Sequence, residues 1–183
     1  MKDGKFTVGI IGLDFGERHL KAALEKELEI VGICDKRVDR LNYVGNKHGI
    51  PEEKRYTDYN ELLAIPELDI VVVATPDQLH REMSVAALEL VKNVLCEKPS
   101  ARTLAEAKEM QAAQHETGKV LNIGVVNRFN SAVNRLRDLI QAGELGEIYH
   151  VYVSFRSCRS IPGLGGAFTN KSIAGGGVLI DWG

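Results

Sequence analysis

Five short runs, apolar at almost every position and separated by stretches of helical spacing, constrain this chain more than any other feature. They are Phe6-Thr7-Val8-Gly9-Ile10-Ile11, Ile30-Val31-Gly32-Ile33-Cys34, Ile70-Val71-Val72-Val73-Ala74, Val94-Leu95-Cys96 and Val120-Leu121-Asn122-Ile123. A strand with one wet face alternates apolar and polar residues, whereas a run apolar throughout is covered on both faces, as in a parallel sheet. Between the runs, Leu20, Ala23, Leu24 and Leu28 recur at helical spacing, as do Leu79, Met83, Ala86, Ala87 and Leu90. Asp58 and Glu61 stand as N-cap and N3 ahead of Leu62 and Leu63. Thr103 and Glu106 repeat the device before Leu104, Ala107 and Met110, and Gly118 ends that helix. Parallel neighbours need helical crossovers, so the alternation predicts an α/β domain with a doubly wound parallel sheet.

Past about Val126 the pattern changes. Val133, Leu136, Leu139 and Ile140 form one helical stripe closed by Gly143. From Ile148 to Arg156, Tyr149, Val151, Val153 and Phe155 alternate with His150, Tyr152, Ser154 and Arg156, which predicts the first strand of a second sheet. The expected division is residues 1–126 for the first domain and 127–183 for the incomplete start of a second α/β domain. Lys and Arg total 23 against 25 Asp and Glu, a net charge of −2, which makes no electrostatic case for nucleic acid or an anionic membrane as partner. No run approaches the roughly 18 apolar residues of a membrane span. Met1-Lys2-Asp3-Gly4-Lys5 leads straight into the first strand-like run, with no signal-peptide pattern. Cys34, Cys96 and Cys158 are odd in number and lack a CxxC pair. They predict no metal site, buried thiols at 34 and 96, and a reducing cytoplasm.

The first strand runs into Gly12-Leu13-Asp14-Phe15-Gly16, a turn suited to phosphate at a helix N-terminus. It is one residue shorter than GxGxxG, and Asp14 stands where the middle glycine would be. Two like charges about 4 Å apart repel by roughly 4 kcal/mol at an effective dielectric near 20. Asp14 must therefore point away, be paired, or weaken anion binding. Asp35 ends the second run about 20 residues on, where a carboxylate accepts the ribose hydroxyls of an adenosine. The bland alternative is that it caps the next helix. Asp35 favours NAD, while Lys36 and Arg37 could meet a 2′-phosphate and leave NADP open. A methyltransferase would use a similar turn for S-adenosylmethionine.

Glu97-Lys98-Pro99 follows the run Val94-Leu95-Cys96. Proline keeps the residue before it out of helical geometry, so Lys98 stands at the carboxyl edge of the sheet, where α/β ligands bind. An ammonium there can hydrogen-bond a substrate hydroxyl and favour its alkoxide during hydride removal.

With the glycine turn ending in His19, Thr75-Pro76-Asp77-Gln78-Leu79-His80, Glu97-Lys98-Pro99, Asn127-Arg128-Phe129, Gly143-Glu144-Leu145-Gly146 and Gly175-Gly176-Gly177-Val178-Leu179-Ile180-Asp181, the chain resembles the Gfo/Idh/MocA family of NAD(P)-dependent oxidoreductases over nearly its whole length. The resemblance implies a Rossmann domain followed by a substrate and oligomerisation domain. It also implies a homo-oligomer, NAD as cofactor with NADP open, and a sugar, cyclitol or related polyol as substrate. Gly12, Asp14, Phe15, Gly16, Asp35, Lys36, Thr75, Pro76, His80, Glu97, Lys98 and Arg128 would lie along the cofactor. Lys98 and Asp181 would be catalytic, with the general-base histidine expected at position 185. That position lies past Gly183, so the 183-residue chain is expected to be inactive by itself. The competing reading is a non-catalytic dinucleotide-binding or assembly module. Arg156, Arg159 and Lys171 could meet a polar substrate in the second domain, but read first as solvated loop charges.

Overall fold

A computed structural model of the protein describes residues 4–154 and 169–177. In chain order the elements are β1 (Thr7–Ile11), α1 (Leu13–Glu25), β2 (Glu29–Cys34), α2 (Val38–Lys47), β3 (Arg55–Tyr56), α3 (Tyr59–Leu63) and β4 (Ile70–Val73). They continue as α4 (His80–Glu89), β5 (Asn93–Cys96), α5 (Leu104–Thr117), β6 (Leu121–Ile123), α6 (Ser131–Gln141) and α7 (Lys171–Ala174). The six strands are parallel, in the order β3-β2-β1-β4-β5-β6. Strand order reverses between β1 and β4, which opens a crevice beyond their carboxyl ends.

The apolar runs divide residue by residue between two cores. Ile10, Ile33 and Val72 pack with Leu13, Leu20, Leu41 and Val44 of α1 and α2. Ile11, Val71, Val73, Val94 and Cys96 point the other way, against Leu62, Met83, Leu88 and Met110 of α3, α4 and α5. The period-2 alternation of a strand is therefore present, but both sides are apolar because both are covered. Gly32 exists for packing: a Cβ there would run into Leu62 Cδ1 and come within 2.7 Å of Tyr56 Cε2. The missing side chain lets α3 lie directly on β2.

The caps act as expected. Asp58 accepts from the Asn60 amide, Thr103 accepts from the Glu106 amide, and Gly118 closes α5 at φ 64. Glu106 does not complete the reciprocal box; its carboxylate takes the Arg102 amide and guanidinium instead. β3 has only two half-buried residues, too short for a periodic signal. Leu104, expected on the core face of α5, is 72% exposed, and Met110 carries that contact.

After Val126 one expectation holds and one is corrected. The helical stripe forms α6, with Val133, Leu136 and Ile140 exposed among the described residues. Residues 148–154 form no strand and are exposed, because no neighbouring strand among the described residues offers a hydrogen-bond ladder. Phe155 and Arg156 of that alternation, Cys158, Arg159 and Asp181 lie outside the described residues. Among those described, no helix is long and apolar enough to cross a membrane, and no cluster of metal-ligating side chains occurs.

Glu17 ties α1 to α2. Its carboxylate lies 2.8 Å from Lys47 Nζ, 3.0 Å from His48 Nε2 and 2.7 Å from Arg40 Nη2. Hydrogen bonds from Lys47 and His48, reinforced by Arg40, outweigh burial and hold the Glu17 carboxyl at about 2, against 4.5 ordinarily. A depressed folded-state value contributes stability that is complete above the unfolded value and is lost as pH falls through the folded one. Glu17→Gln is expected to flatten the stability–pH slope between 4.5 and about 2. The partners are partly exposed, so the expected cost near neutrality is about 1 kcal/mol. Urea unfolding across that pH range measures both.

Candidate functional site

The crevice at the strand reversal holds a cavity of about 340 Å³, lined by Gly12, Leu13, Asp14, Asp35, Lys36, Arg37, Thr75, Pro76 and neighbouring apolar side chains. Gly12 ends β1 at φ +85, with its amide on the Cys34 carbonyl. A Cβ at Gly12 would lie 2.6 Å from the Ala74 carbonyl oxygen and 2.9 Å from the Thr75 amide nitrogen. Only glycine can turn this corner while β4 stays in place. α1 begins at the next residue, so its positive end and first-turn amides face the cavity mouth. Gly16 has a different job: it is buried in α1, where a Cβ would come within 2.9 Å of Ile10 Cγ2. It lets the helix sit close to the sheet and does not line the cavity.

Asp35 does not cap α2. Its buried carboxylate bridges the end of β2 to the start of α1. Oδ2 accepts from the Leu13 amide at 3.0 Å and Arg37 Nη2 at 3.1 Å, while Oδ1 accepts from the Arg37 amide at 3.0 Å and Nε at 3.1 Å. Burial opposes its charge, and the hydrogen bonds from Arg37 and Leu13 outweigh it, holding the carboxyl below the usual range. Asp14 is paired, the second of the outcomes its position allowed. Its Oδ1 lies 2.9 Å from Arg37 Nη2 and 3.5 Å from Arg40 Nε.

Thr75 and Pro76 form the cavity wall after β4. His80, expected along the cofactor, is 1% exposed. Its Nε2 lies 2.8 Å from the Thr75 carbonyl oxygen and its Nδ1 2.7 Å from that of Pro99. The ring is consumed in joining the cavity wall to the turn that carries Lys98. Removing it takes a partner from the Thr75 and Pro99 carbonyls and leaves a ring-sized void. His80→Ala is expected to cost about 2–4 kcal/mol, measured by urea unfolding.

Glu97, expected along the cofactor, is buried. His19 Nε2 lies 2.7 Å from Oε1, and the Lys98 amide donates to Oε2 at 3.2 Å. Burial opposes the Glu97 charge, and the His19 and Lys98 contacts outweigh it, leaving the carboxyl below its ordinary range. Lys98 is half-buried in the bend after β5, next to the cis Lys98–Pro99 peptide. Phe15 is 43% exposed, with the Arg18 guanidinium 4.7 Å above its ring. Arg128 is exposed on a single 3-10 turn. Neither lines the cavity. α7 reaches the same edge from far along the chain: Arg102 donates to the Ser172 carbonyl, and Gly175 lies against the Arg102 side chain. The thiols of Cys34 and Cys96 are buried, which pushes both to about 12 and leaves them inert.

The cavity fits a dinucleotide. A glycine cradle meets a helix N-terminus, a buried carboxylate ends β2, and the buried Thr75 hydroxyl has no partner among the described residues. Fold and site together define a nucleotide-binding α/β domain of Rossmann type. Residues 6–125 match the family model described as the oxidoreductase family, NAD-binding Rossmann fold, and residues 133–183 match the GFO/IDH/MocA C-terminal domain. The chain belongs to the Gfo/Idh/MocA family. It is 37% identical to D-glucoside 3-dehydrogenase of Escherichia coli, over 86% of this chain and 44% of that protein. Identity to inositol 2-dehydrogenase of Salmonella typhimurium is 30%, over 88% and 48%. The solved structure of levoglucosan dehydrogenase in complex with NADH and levoglucosan superimposes with a TM-score of 0.80 at 28% identity, covering 97% of this chain and 51% of that one. The chain thus spans about half the length of the curated relatives it matches.

Proposed function

We propose that the protein is an NAD(P)-dependent dehydrogenase that moves hydride between the nicotinamide and a carbinol carbon of a sugar, cyclitol or related polyol. The observation that carries this reading is the link through His80, which joins the Thr75 wall of the dinucleotide cavity to the turn bearing Lys98. Gly12, the first turn of α1, Asp35, Thr75 and Pro76 would hold the cofactor. When bound, the nicotinamide supplies a two-electron hydride acceptor or donor.

The remaining work falls to the chain. The Lys98 ammonium donates to the substrate hydroxyl oxygen, which favours the alkoxide as the hydroxyl proton passes to the histidine base that the family resemblance implies and hydride leaves for the nicotinamide. Glu97, held by His19, fixes the backbone from which Lys98 projects. Asp181, by resemblance to the family, orients the same hydroxyl. Residues 1–126 act as the dinucleotide unit and 127–183 open the substrate domain. The relatives named for D-glucosides and inositol support polyol carbons as substrates. The exposed α6 stripe supports a homo-oligomer, and the unpaired thiols of Cys34 and Cys96 support a cytoplasmic setting.

The test is calorimetric titration of the whole protein with NAD(H) and NADP(H), followed by turnover on a panel of glucosides, inositols and linear polyols. Binding with turnover on at least one polyol is expected. Binding without turnover on any of them leaves a dinucleotide-binding module, and no binding removes the reading.

A further inference from the structure

Arg102 lies on the loop between β5 and α5, the loop that begins with Lys98, just before the N-cap Thr103. Glu106 in the first turn of α5 anchors it twice. The Arg102 amide donates to Oε2 at 3.0 Å, and Nη2 donates to Oε1 at 2.9 Å. Burial opposes the Glu106 charge, and the hydrogen bonds from Arg102 outweigh it, holding that carboxyl below its ordinary range. An ion pair one helical turn apart needs no more than this. Yet Nη1 reaches further, donating at 3.2 Å to the Ser172 carbonyl, 70 positions along the chain.

More than this one bond seats α7. Gly175 closes the helix at φ 76, and a Cβ there would lie 2.9 Å from Arg102 Cβ and 3.1 Å from Cγ. The end of α7 therefore rests on the aliphatic stem of Arg102 at a distance that only glycine allows. α7 also packs against the 3-10 turn Asp77–Leu79, which follows the Thr75-Pro76 wall, and Ala174 is buried. It thus bridges the loops after β4 and β5, the second of which carries Lys98. A helix of four residues has no stability of its own in water, so these contacts decide where it lies.

We infer that Arg102 is a positioning residue for the substrate side of the reaction: by clasping Ser172 and Gly175 it sets α7 against the Lys98 loop. With α7 it sets the start of the glycine run 175–177, which leads in sequence to Asp181. Arg102 does not line the dinucleotide cavity, so it acts on the alignment of the substrate hydroxyl and not on cofactor binding. This rests on the dehydrogenase reading, in which Lys98 and Asp181 meet that hydroxyl.

The test compares the whole protein with Arg102→Ala and Arg102→Lys by hydrogen exchange, by calorimetry with NAD(H) and NADP(H), and by turnover of a polyol that the unaltered protein accepts. In Arg102→Ala, the Ile173, Ala174 and Gly175 amides, whose hydrogen bonds close α7, are expected to exchange about 10-fold faster. The kcat is expected to fall about 10–100-fold, the effect of a misplacement of about 1 Å, while dinucleotide affinity stays within about threefold. Arg102→Lys keeps one cation, which can serve Glu106 or Ser172 but not both, and is expected to fall between the two; it decides alone if the alanine variant does not fold. Unchanged exchange, or faster exchange with unchanged kcat, overturns the inference. So does a parallel loss of dinucleotide affinity and turnover, which marks a general structural role. If the unaltered protein binds a dinucleotide but turns over no polyol, the dehydrogenase reading falls and the role in turnover with it, while the exchange result still decides whether Arg102 holds α7.

Discussion

Gly12→Ala is expected to lower stability by about 3 kcal/mol or more and to weaken dinucleotide binding at least ~100-fold. Two costs combine. The φ of +85 is a conformation that alanine rarely adopts, and the new methyl group would sit 2.6 Å from the Ala74 carbonyl oxygen. That oxygen belongs to backbone where β4 leaves the sheet, beside the Thr75 wall, so relief would require moving the wall itself. Gly118→Ala is the control. Gly118 has φ +64 but nothing within 4 Å of a built Cβ, so only the conformational cost of about 1 kcal/mol applies. Urea unfolding and calorimetry on the pair separate strain from collision. A Gly12→Ala protein with unchanged affinity would mean that the dinucleotide does not use this corner.

Lys98→Met is expected to reduce turnover of the whole protein by about 10²–10⁴-fold while leaving dinucleotide affinity within about threefold. Methionine keeps the length and apolar stem of the side chain and removes only the ammonium. Lys98 does not line the dinucleotide cavity, so binding should survive. The Lys98 backbone amide, which donates to Glu97, is untouched by the change. The two assays together are diagnostic. Loss of both binding and turnover would make Lys98 structural, and full retention of turnover would remove it from the chemistry.

Several parts of the site were legible in the sequence because they are local. The Gly12 corner, the carboxylate at the end of β2 and the lysine before Pro99 each follow from a strand ending, and strand endings show in the apolar runs. Helix caps at Asp58 and Thr103 were legible for the same reason: the donor and acceptor are two or three residues apart. Less was visible after Val126. The stripe of α6 gave its helix, but a stripe does not say what covers it. The alternation from Ile148 formed no strand in its described part, because a strand needs a neighbour that periodicity cannot supply.

The partners of individual polar residues were the other thing the sequence did not show. His80 and Glu97 carry ordinary signals of ligand contact in the sequence, yet both side chains are spent inside the protein, on carbonyl oxygens and on His19. Asp14 looked like an obstacle to an anion, and its guanidinium partner, 23 positions away on the turn after β2, removes that conflict. By itself, the sequence determined the alternating architecture, the two-sided burial of the sheet and the positions of the turns, since these depend on spacing of 2 or 3.6 residues along one chain. Only the tertiary structure decided which charges meet. Pairs such as His19 with Glu97 and Asp14 with Arg37 form because strand order brings distant turns to one edge, and that order is a property of the packed sheet rather than of any window of sequence.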